Sequence, residues 1–428
     1  MVKLSLDKEL RSSVIGLALV LSGILLISAC SSAEKKEYAP MPEVPAQIDV
    51  QPAWVAPAGE RSERAYRQLS SAVDSGTVYV ANATGQIGAL DMNTGKLLWL
   101  VDLHEKFSSG LGVGEGKLLI STNNAELIAM NQNDGKEVWR SQLSSIALSR
   151  PVIVKDKVIV QTNDEKLYAL NANDGKRIWV ESRDVPALTL RGTTTPLVID
   201  DKVVSGFADG HLIAFDMLTG RTLWDALVAI PKGRTDLDRM VDIDGFFAYQ
   251  DGLIYVSSYH GRIAAVAEKD GAIVWNRDMS SYSGVALDKN QLYVSDEDSF
   301  VWALDSKTGA TLWRQENLKD RDISTPVVMD LGVAVADGGG YVHWLSKEDG
   351  SFIARENLKQ LHYDAFVEYG DIDFSTLDYG VSVTPEVAGK HLLVRNNNGD
   401  LAMFVVQPKS SATAENHWYT PLLNLFQL

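Results

Sequence analysis

The chain repeats one pattern seven times: an apolar run, a shorter apolar stretch, then glycine, three residues and an aromatic. Six copies end at Trp99, Trp139, Trp179, Trp224, Trp275 and Trp313; the seventh keeps its glycine, Gly350, but has Ala354 in place of the tryptophan. A period of roughly 40 residues built from short strands is the signature of a β-propeller. A length of 428 residues would otherwise suggest two or three domains. The repeat overrides that prior, because one blade cannot bury its own faces and blades must stack into one continuous core.

Each copy reads as four antiparallel strands. The inner strand is expected to hold the proline motif, as in Arg150-Pro151, Thr195-Pro196, Thr325-Pro326 and Thr384-Pro385. Runs of the KVIV and LYAL types follow, then the tryptophan strand. Between the last two lies a turn signal with glycine at a position needing positive φ. The final copy, KHLLVRNNNGDLAMFVV, ends near Val406 without its tryptophan strand. The missing piece stands at the other end, in Gln51-Pro-Ala-Trp54-Val-Ala. Trp54 precedes Trp99 by 45 residues, within the 38 to 51 of the other intervals. The expectation is an all-β, eight-bladed propeller whose last blade is completed by the N-terminal strand, leaving no open seam. The recurring tryptophans read as packing between blades, with Phe352 or Trp344 compensating for Ala354.

Lys3, Lys8 and Arg11 precede an apolar run from Val14 to Ile27, the arrangement of a secretory signal and short of the roughly 20 residues of a membrane span. Leu26-Ile27-Ser28-Ala29-Cys30 resembles a bacterial lipobox, and Cys30 is the single cysteine. An intrachain disulfide is thereby excluded. Lipidation at Cys30 would give multiple-chain, stable anchoring. Ser31 after it favours the outer membrane, by resemblance to enterobacterial lipoproteins. The expected organisation is a signal peptide at 1–29, a lipidated flexible tether at 30–49 carrying Pro40, Pro42 and Pro45, the propeller at 50–407, and a C-terminal tail at 408–428. Residues 1–29 hold three basic and two acidic residues, so a net charge of −16 becomes −17 in the mature chain. Such a surface repels phosphate backbones and argues against nucleic-acid binding.

Most loops joining one blade to the next are short: Trp139 to Pro151 is 12 residues and Trp313 to Pro326 is 13. Trp179 to Pro196 is 17, and Trp224 to Phe247 is 23. These two long loops are adjacent and belong to one rim. Long loops on a rigid scaffold are where binding concentrates. They carry Leu188, Leu190, Arg191, Asp242 and Asp244. Leu188 and Leu190 alternate and could equally form one face of a tucked segment. Arg191 could pair with Asp242 or Asp244 within the chain.

Gly-Lys-x-x-Trp preceded by Ala-Leu-Asp resembles the repeat of quinoprotein dehydrogenases, which bind pyrroloquinoline quinone. Together with the lipobox, three loop motifs carry a closer resemblance: Ala147-Leu-Ser-Arg-Pro151, Pro186-Ala-Leu-Thr-Leu-Arg-Gly192 and Asp236-Leu-Asp-Arg-Met-Val-Asp-Ile-Asp244. On these the chain resembles the propeller lipoproteins of the outer-membrane β-barrel assembly (Bam) machinery. The resemblance implies a non-enzymatic scaffold on the periplasmic face of the outer membrane. It implies binding to the POTRA domains of BamA through Leu188, Leu190, Arg191, Asp242 and Asp244. Unfolded outer-membrane proteins are a further possible partner, in a chaperone-like alternative using strand edges.

A quinoprotein enzyme is the rival reading. It would need cofactor and Ca²⁺ ligands and often a vicinal disulfide, and Cys30 stands alone. His211, His260 and His343 sit in different blades without metal-ligand spacing. No catalytic residue, cofactor or metal is therefore assigned. Two segments stay without a role: the 31-residue stretch from Ala354 to Pro385, readable as a partner surface, a plug or a solvated loop, and the apolar tail end from Trp418.

Overall fold

The computed structural model describes residues 36–56, 69–190, 194–281, 283–366, 377–409 and 420–421. Cys30, Arg191, the signal segment, residues 367–376 and most of the tail lie outside the described residues. Two compact units divide the chain, Met1–Ala39 and Pro40–Leu428. In the first, the Lys36 ammonium lies 5.2 Å from the Tyr38 ring centroid.

The second unit contains eight antiparallel blades. Blade 1 pairs Ala72–Asp74, Thr77–Ala81, Gln86–Asp91 and Leu97–Asp102 in that order. Blades 2 to 7 repeat this up-and-down order, with outer strands Glu137–Gln142, Arg177–Ser182, Thr222–Leu227, Ile273–Asp278, Thr311–Gln315 and Phe352–Asn357. Blade 8 takes three strands from the end of the ring, Glu386–Ala388, His391–Arg395 and Leu401–Pro408, and its fourth from the beginning, Ile48–Ala56. The closing strand is antiparallel to Leu401–Pro408, from Ile48 opposite Pro408 to Ala56 opposite Leu401. The prolines expected within inner strands stand just before them instead, as Pro151 before Val152–Val154 and Pro196 before Leu197–Ile199. A residue without an N–H fits at a strand entrance better than inside a ladder.

The middle strands are buried almost end to end, as in Lys157–Thr162 and Leu253–Ser257. A blade has neighbours on both faces, so these strands read as continuous apolar runs rather than alternating ones. Among the described residues, eight apolar clusters fill the eight gaps between neighbouring blades. The tryptophans cross these gaps. Trp99 Nε1 donates to Gln132 O at 3.2 Å, Trp139 to Ala172 O at 2.8 Å, Trp179 to Met217 O at 3.0 Å and Trp224 to Glu268 O at 2.8 Å. Trp275 and Trp313 repeat the bond to Ser306 O and Lys347 O. Each acceptor lies in the hairpin between the third and fourth strands of the next blade. The ring packs on the hairpin glycine: a Cβ on Gly220, at φ +75°, would stand 2.8 Å from Trp179. Trp54 makes the same bond across the closing seam, to Met92 O at 2.9 Å, and is fully buried.

Arg150, from the Ala147–Pro151 loop motif, is a strut at the inner end of the blades. Its Nη2 reaches Ser70 Oγ at 3.1 Å, Ser71 O at 2.9 Å and the Glu386 carboxylate, joining blade 3 to blades 1 and 8.

The stretch read as a tether is engaged well before residue 49. Ile48 and Asp49 are already in the closing strand. Gln47 N donates to Ile353 O at 2.7 Å, Met41 N to Tyr341 Oη at 3.4 Å, and Arg355 to Pro42 O. The segment from Met41 thus runs along the outside of blade 7. The stretch after Ala354 also takes defined form. Leu358–Phe366 is a helix whose Leu358, Leu361 and His362 are buried against blades 7 and 8, with Val55, Val394 and Ala402. Asn357 caps its start, its Oδ1 accepting from Lys359 N and Gln360 N at 3.0 and 3.2 Å. Apolar burial on one face, rather than solvation throughout, explains the leucines of this insertion.

Candidate partner-docking rim

The loops on the rim of interest join Arg177–Ser182 to Leu197–Ile199, and Thr222–Leu227 to Ala248–Gln250. They are fixed to one another at their bases. Thr194 Oγ1 donates to Ile243 O at 2.6 Å, and Ile243 pairs in a bridge with Ser258 of blade 5. Arg183, at the start of the first loop, donates from Nε and Nη2 to Asp209 Oδ2 at 3.1 and 2.9 Å, and from Nη1 to Asp225 Oδ2 at 3.1 Å. Its guanidinium lies 5.7 Å from the Phe207 ring centroid. Met240, Val241 and Ile243 are buried and anchor the second loop from below.

The five site residues occupy different environments. Leu188 is exposed, at 48%. Leu190 is half-buried, and its N–H donates to Asp242 Oδ2. Asp242 is itself buried, at 2% exposure, and its main-chain oxygen accepts from Tyr259 N at 3.0 Å. It is therefore a strut beneath the Leu190 loop rather than a surface contact. Asp244 is half-buried and accepts from Gly245 N at 3.0 Å. Arg191 lies outside the described residues.

Sequence reading missed Glu165, in the turn of blade 3 below the first loop. Its carboxylate accepts from Ala208 N at 3.2 Å. Burial pushes the Glu165 carboxyl up to about 7, with Asp242, Asp209 and Asp244 adding to the rise. Burial likewise raises Asp242 to about 7 and Asp244 to about 6. The backbone N–H groups of Leu190 and Gly245 offset part of this by favouring the charged forms. Asp242 Oδ1 has no hydrogen-bond partner among the described residues.

Three exposed apolar side chains join Leu188 on these loops: Val185 at 51%, Ile230 at 46% and Leu237 at 59%. Leu237 is held on a tight turn in which Asp238 Oδ2 accepts from Thr235 N at 3.2 Å and Asp238 N donates to Thr235 Oγ1 at 3.1 Å. The available signal was an aliphatic residue isolated among Asp, Arg, Gly and Pro in a strongly acidic chain.

The histidines do not converge. His211 Nδ1 lies 2.5 Å from Asp225 Oδ1, and His260 stacks on Tyr259. His343 is fully buried between Asp337 Oδ2, 2.9 Å from its Nε2, and Arg355 Nε, which donates to its Nδ1 at 2.9 Å. Among the described residues no three His, Cys, Asp or Glu side chains form a metal-binding group.

Fold and rim together define an eight-bladed propeller of the quinoprotein-repeat type, with two long, mutually braced loops on one rim. The family model for outer membrane protein assembly factor BamB matches residues 83–315 and 303–421. The BamB of Pseudomonas aeruginosa is 46% identical over 392 residues, covering 91% of this chain and 98% of that protein. The BamB of Escherichia coli K12 is 33% identical over 357 residues, covering 79% and 91%. The crystal structure of BamB from Moraxella catarrhalis superposes with a TM-score of 0.71 at 25% identity, over 85% of this chain and all of that one. Quinohemoprotein alcohol dehydrogenase from Comamonas testosteroni matches at a TM-score of 0.62 and 13% identity, over 86% and 78%, a likeness of fold alone. The chain belongs to the BamB family of outer membrane protein assembly factors.

Proposed function

We propose that this protein is a scaffold of the Bam complex that docks the POTRA domains of BamA on the rim of blades 3 and 4. It assists the folding and insertion of β-barrel proteins without catalysing a reaction. The carrying observation is the Leu190–Asp242 hydrogen bond, which braces two long loops that present the exposed Leu188 and Leu237 on one rim. Apolar anchors on a rigid support lose little freedom on binding. In this reading Leu188, Leu190 and Arg191 meet the partner, while Asp242 and Asp244 position them. Cys30 carries the lipid that holds the ring at the periplasmic face of the outer membrane.

The test is capture of BamA from detergent-solubilised membranes by the mature protein. L188K and R191E are expected to reduce capture with an unchanged unfolding midpoint. Equal capture by wild type and both variants overturns the docking site. C30A is expected to move the protein from the membrane to the soluble fraction.

A further inference from the structure

The residue just before each inter-blade tryptophan is aliphatic in blades 1 to 6: Leu98, Val138, Ile178, Leu223, Val274 and Leu312. Each is the bulged position of its outer strand. In blade 1, Ala89 pairs with Trp99 and Leu90 with Leu97, leaving Leu98 outside the ladder. All six are exposed, from 39% at Leu223 to 54% at Leu98. Exposed aliphatic residues on unpaired outer strands are what sheet edges ordinarily avoid.

Blade 7 has Ile353 at this position, exposed only 5%. The chain itself makes the difference. Gln47 N donates to Ile353 O, and the following Ile48 joins Ile353 in one apolar cluster. Blade 8 has the small Ala53 there, and its outer strand is covered too: Trp54 and Val55 pair in parallel with Thr420 and Pro421. The protein thus lays its own extended segments along two outer edges and leaves six uncovered among the described residues.

We infer that the outer edges of blades 1 to 6 are docking sites for extended, strand-forming segments of unfolded polypeptide, with the bulged aliphatic residue as the apolar contact. The occupant's backbone groups pair with the open side of the outer strand, as Gln47 does on blade 7, and its alternate apolar side chains cover the bulge. Six equivalent edges around one ring suit a long unfolded chain better than a single folded partner. This surface is the circumference of the ring and is independent of the rim loops.

A photo-crosslinking heptapeptide of alternating valine and threonine tests it on the mature protein. Adducts are expected in the outer strands of blades 1 to 6, and not on blade 7. V274K is expected to lower the blade 5 adduct at least fivefold and leave that of blade 2 unchanged; L312K does the same for blade 6. Replacing residues 41–47 with glycine and serine is expected to create a new adduct at Ile353. Adducts confined to the rim loops, or blade 5 and blade 6 labelling unmoved by the lysines, overturn the inference. BamA capture by the same lysine variants stays at the wild-type level, which separates this surface from the rim.

Discussion

Trp344 and Ala354 face each other directly across the third and fourth strands of blade 7, the reverse of the pairing in the blades before it. At the same register blade 1 pairs Ala89 with Trp99, blade 3 pairs Ala169 with Trp179 and blade 6 pairs Ala303 with Trp313. The exchange follows from how the ring closes. A tryptophan on the fourth strand needs a glycine hairpin in the next blade to seat its ring and accept its N–H. Blade 8 has no such hairpin, because its third and fourth strands come from opposite ends of the chain. Trp344 fills the gap from the third strand instead. It is fully buried, meets Phe404 edge-on at 5.7 Å, and its Nε1 has no partner among the described residues. Trp344→Ala is expected to lose about 3–5 kcal/mol, the range for a buried aromatic. Ala354→Trp, with Trp344 kept, should lose about 1–3 kcal/mol through overpacking. Urea unfolding measures both; stabilisation by Ala354→Trp would show that blade 8 has a socket after all.

The hairpin glycines make a second, internally controlled prediction. Gly220 and Gly76 both have positive φ, +75° and +81°. A Cβ at Gly220 meets the Trp179 ring at 2.8 Å, whereas one at Gly76 meets nothing within 4 Å. Gly76→Ala therefore carries only the left-handed strain, about 1–2 kcal/mol. Gly220→Ala adds displacement of an interlocking tryptophan, and its unfolding midpoint should fall clearly further. Equal losses would mean that the ring moves aside freely.

Much of this architecture is legible in the sequence because a propeller is nearly one-dimensional. Gly220 and Trp224 recur in every full copy, and Trp54 stands one interval before Trp99. What is not legible depends on distant contacts. Asp242 looks like a surface carboxylate in its loop, and only the approach of Leu190, 52 residues away, buries it. Met41 to Gln47 looks like a proline-rich linker, and its course is set by Ile353 and Arg355, some three hundred residues away. Ala354 looks like a lapse in the repeat until the split origin of blade 8 explains it.

The Glu165, Asp242 and Asp244 carboxyls predict a pH dependence. All three are raised in the folded protein, to about 7, 7 and 6. The folded state therefore holds protons more tightly than the unfolded chain between about pH 4 and 7. Their stabilising contribution is fully present below the unfolded values and is lost as pH rises through about 7. Asp242→Asn retains a carbonyl to accept the Leu190 N–H and removes one titrating group. The variant's thermal midpoint should fall less than that of the parent between about pH 5 and pH 8. Identical pH profiles for the two proteins would rule out the assigned shift at Asp242.

Leu237 offers a cleaner probe of the docking rim than Asp242. It is exposed, so Leu237→Lys has no core to disturb, and the turn that carries it is held by Asp238 and Thr235. An apolar interface anchor contributes about 1–2 kcal/mol or more, so BamA capture should weaken roughly tenfold. Titration of immobilised variant with solubilised BamA reads this directly, and an unchanged affinity places the contact elsewhere on the ring.

Closure by a strand held without a covalent link makes the ring separable at a defined place. Ile48–Ala56 pairs along its length with Leu401–Pro408 and buries Trp54 and Val55 in the gaps to blades 1 and 7. The segment Met41–Gln47 adds contacts on blade 7 but no ring-closing strand. A chain beginning at Ile48 should keep a cooperative thermal transition with a modestly lower midpoint. A chain beginning at residue 57 loses Trp54, by itself about 3–5 kcal/mol, and leaves the third strand of blade 8 as an open edge. It should lose the cooperative transition and regain it when a peptide of residues 47–56 is added in trans. Cooperative unfolding of the residue-57 chain without the peptide would show that seven complete blades hold the ring unaided.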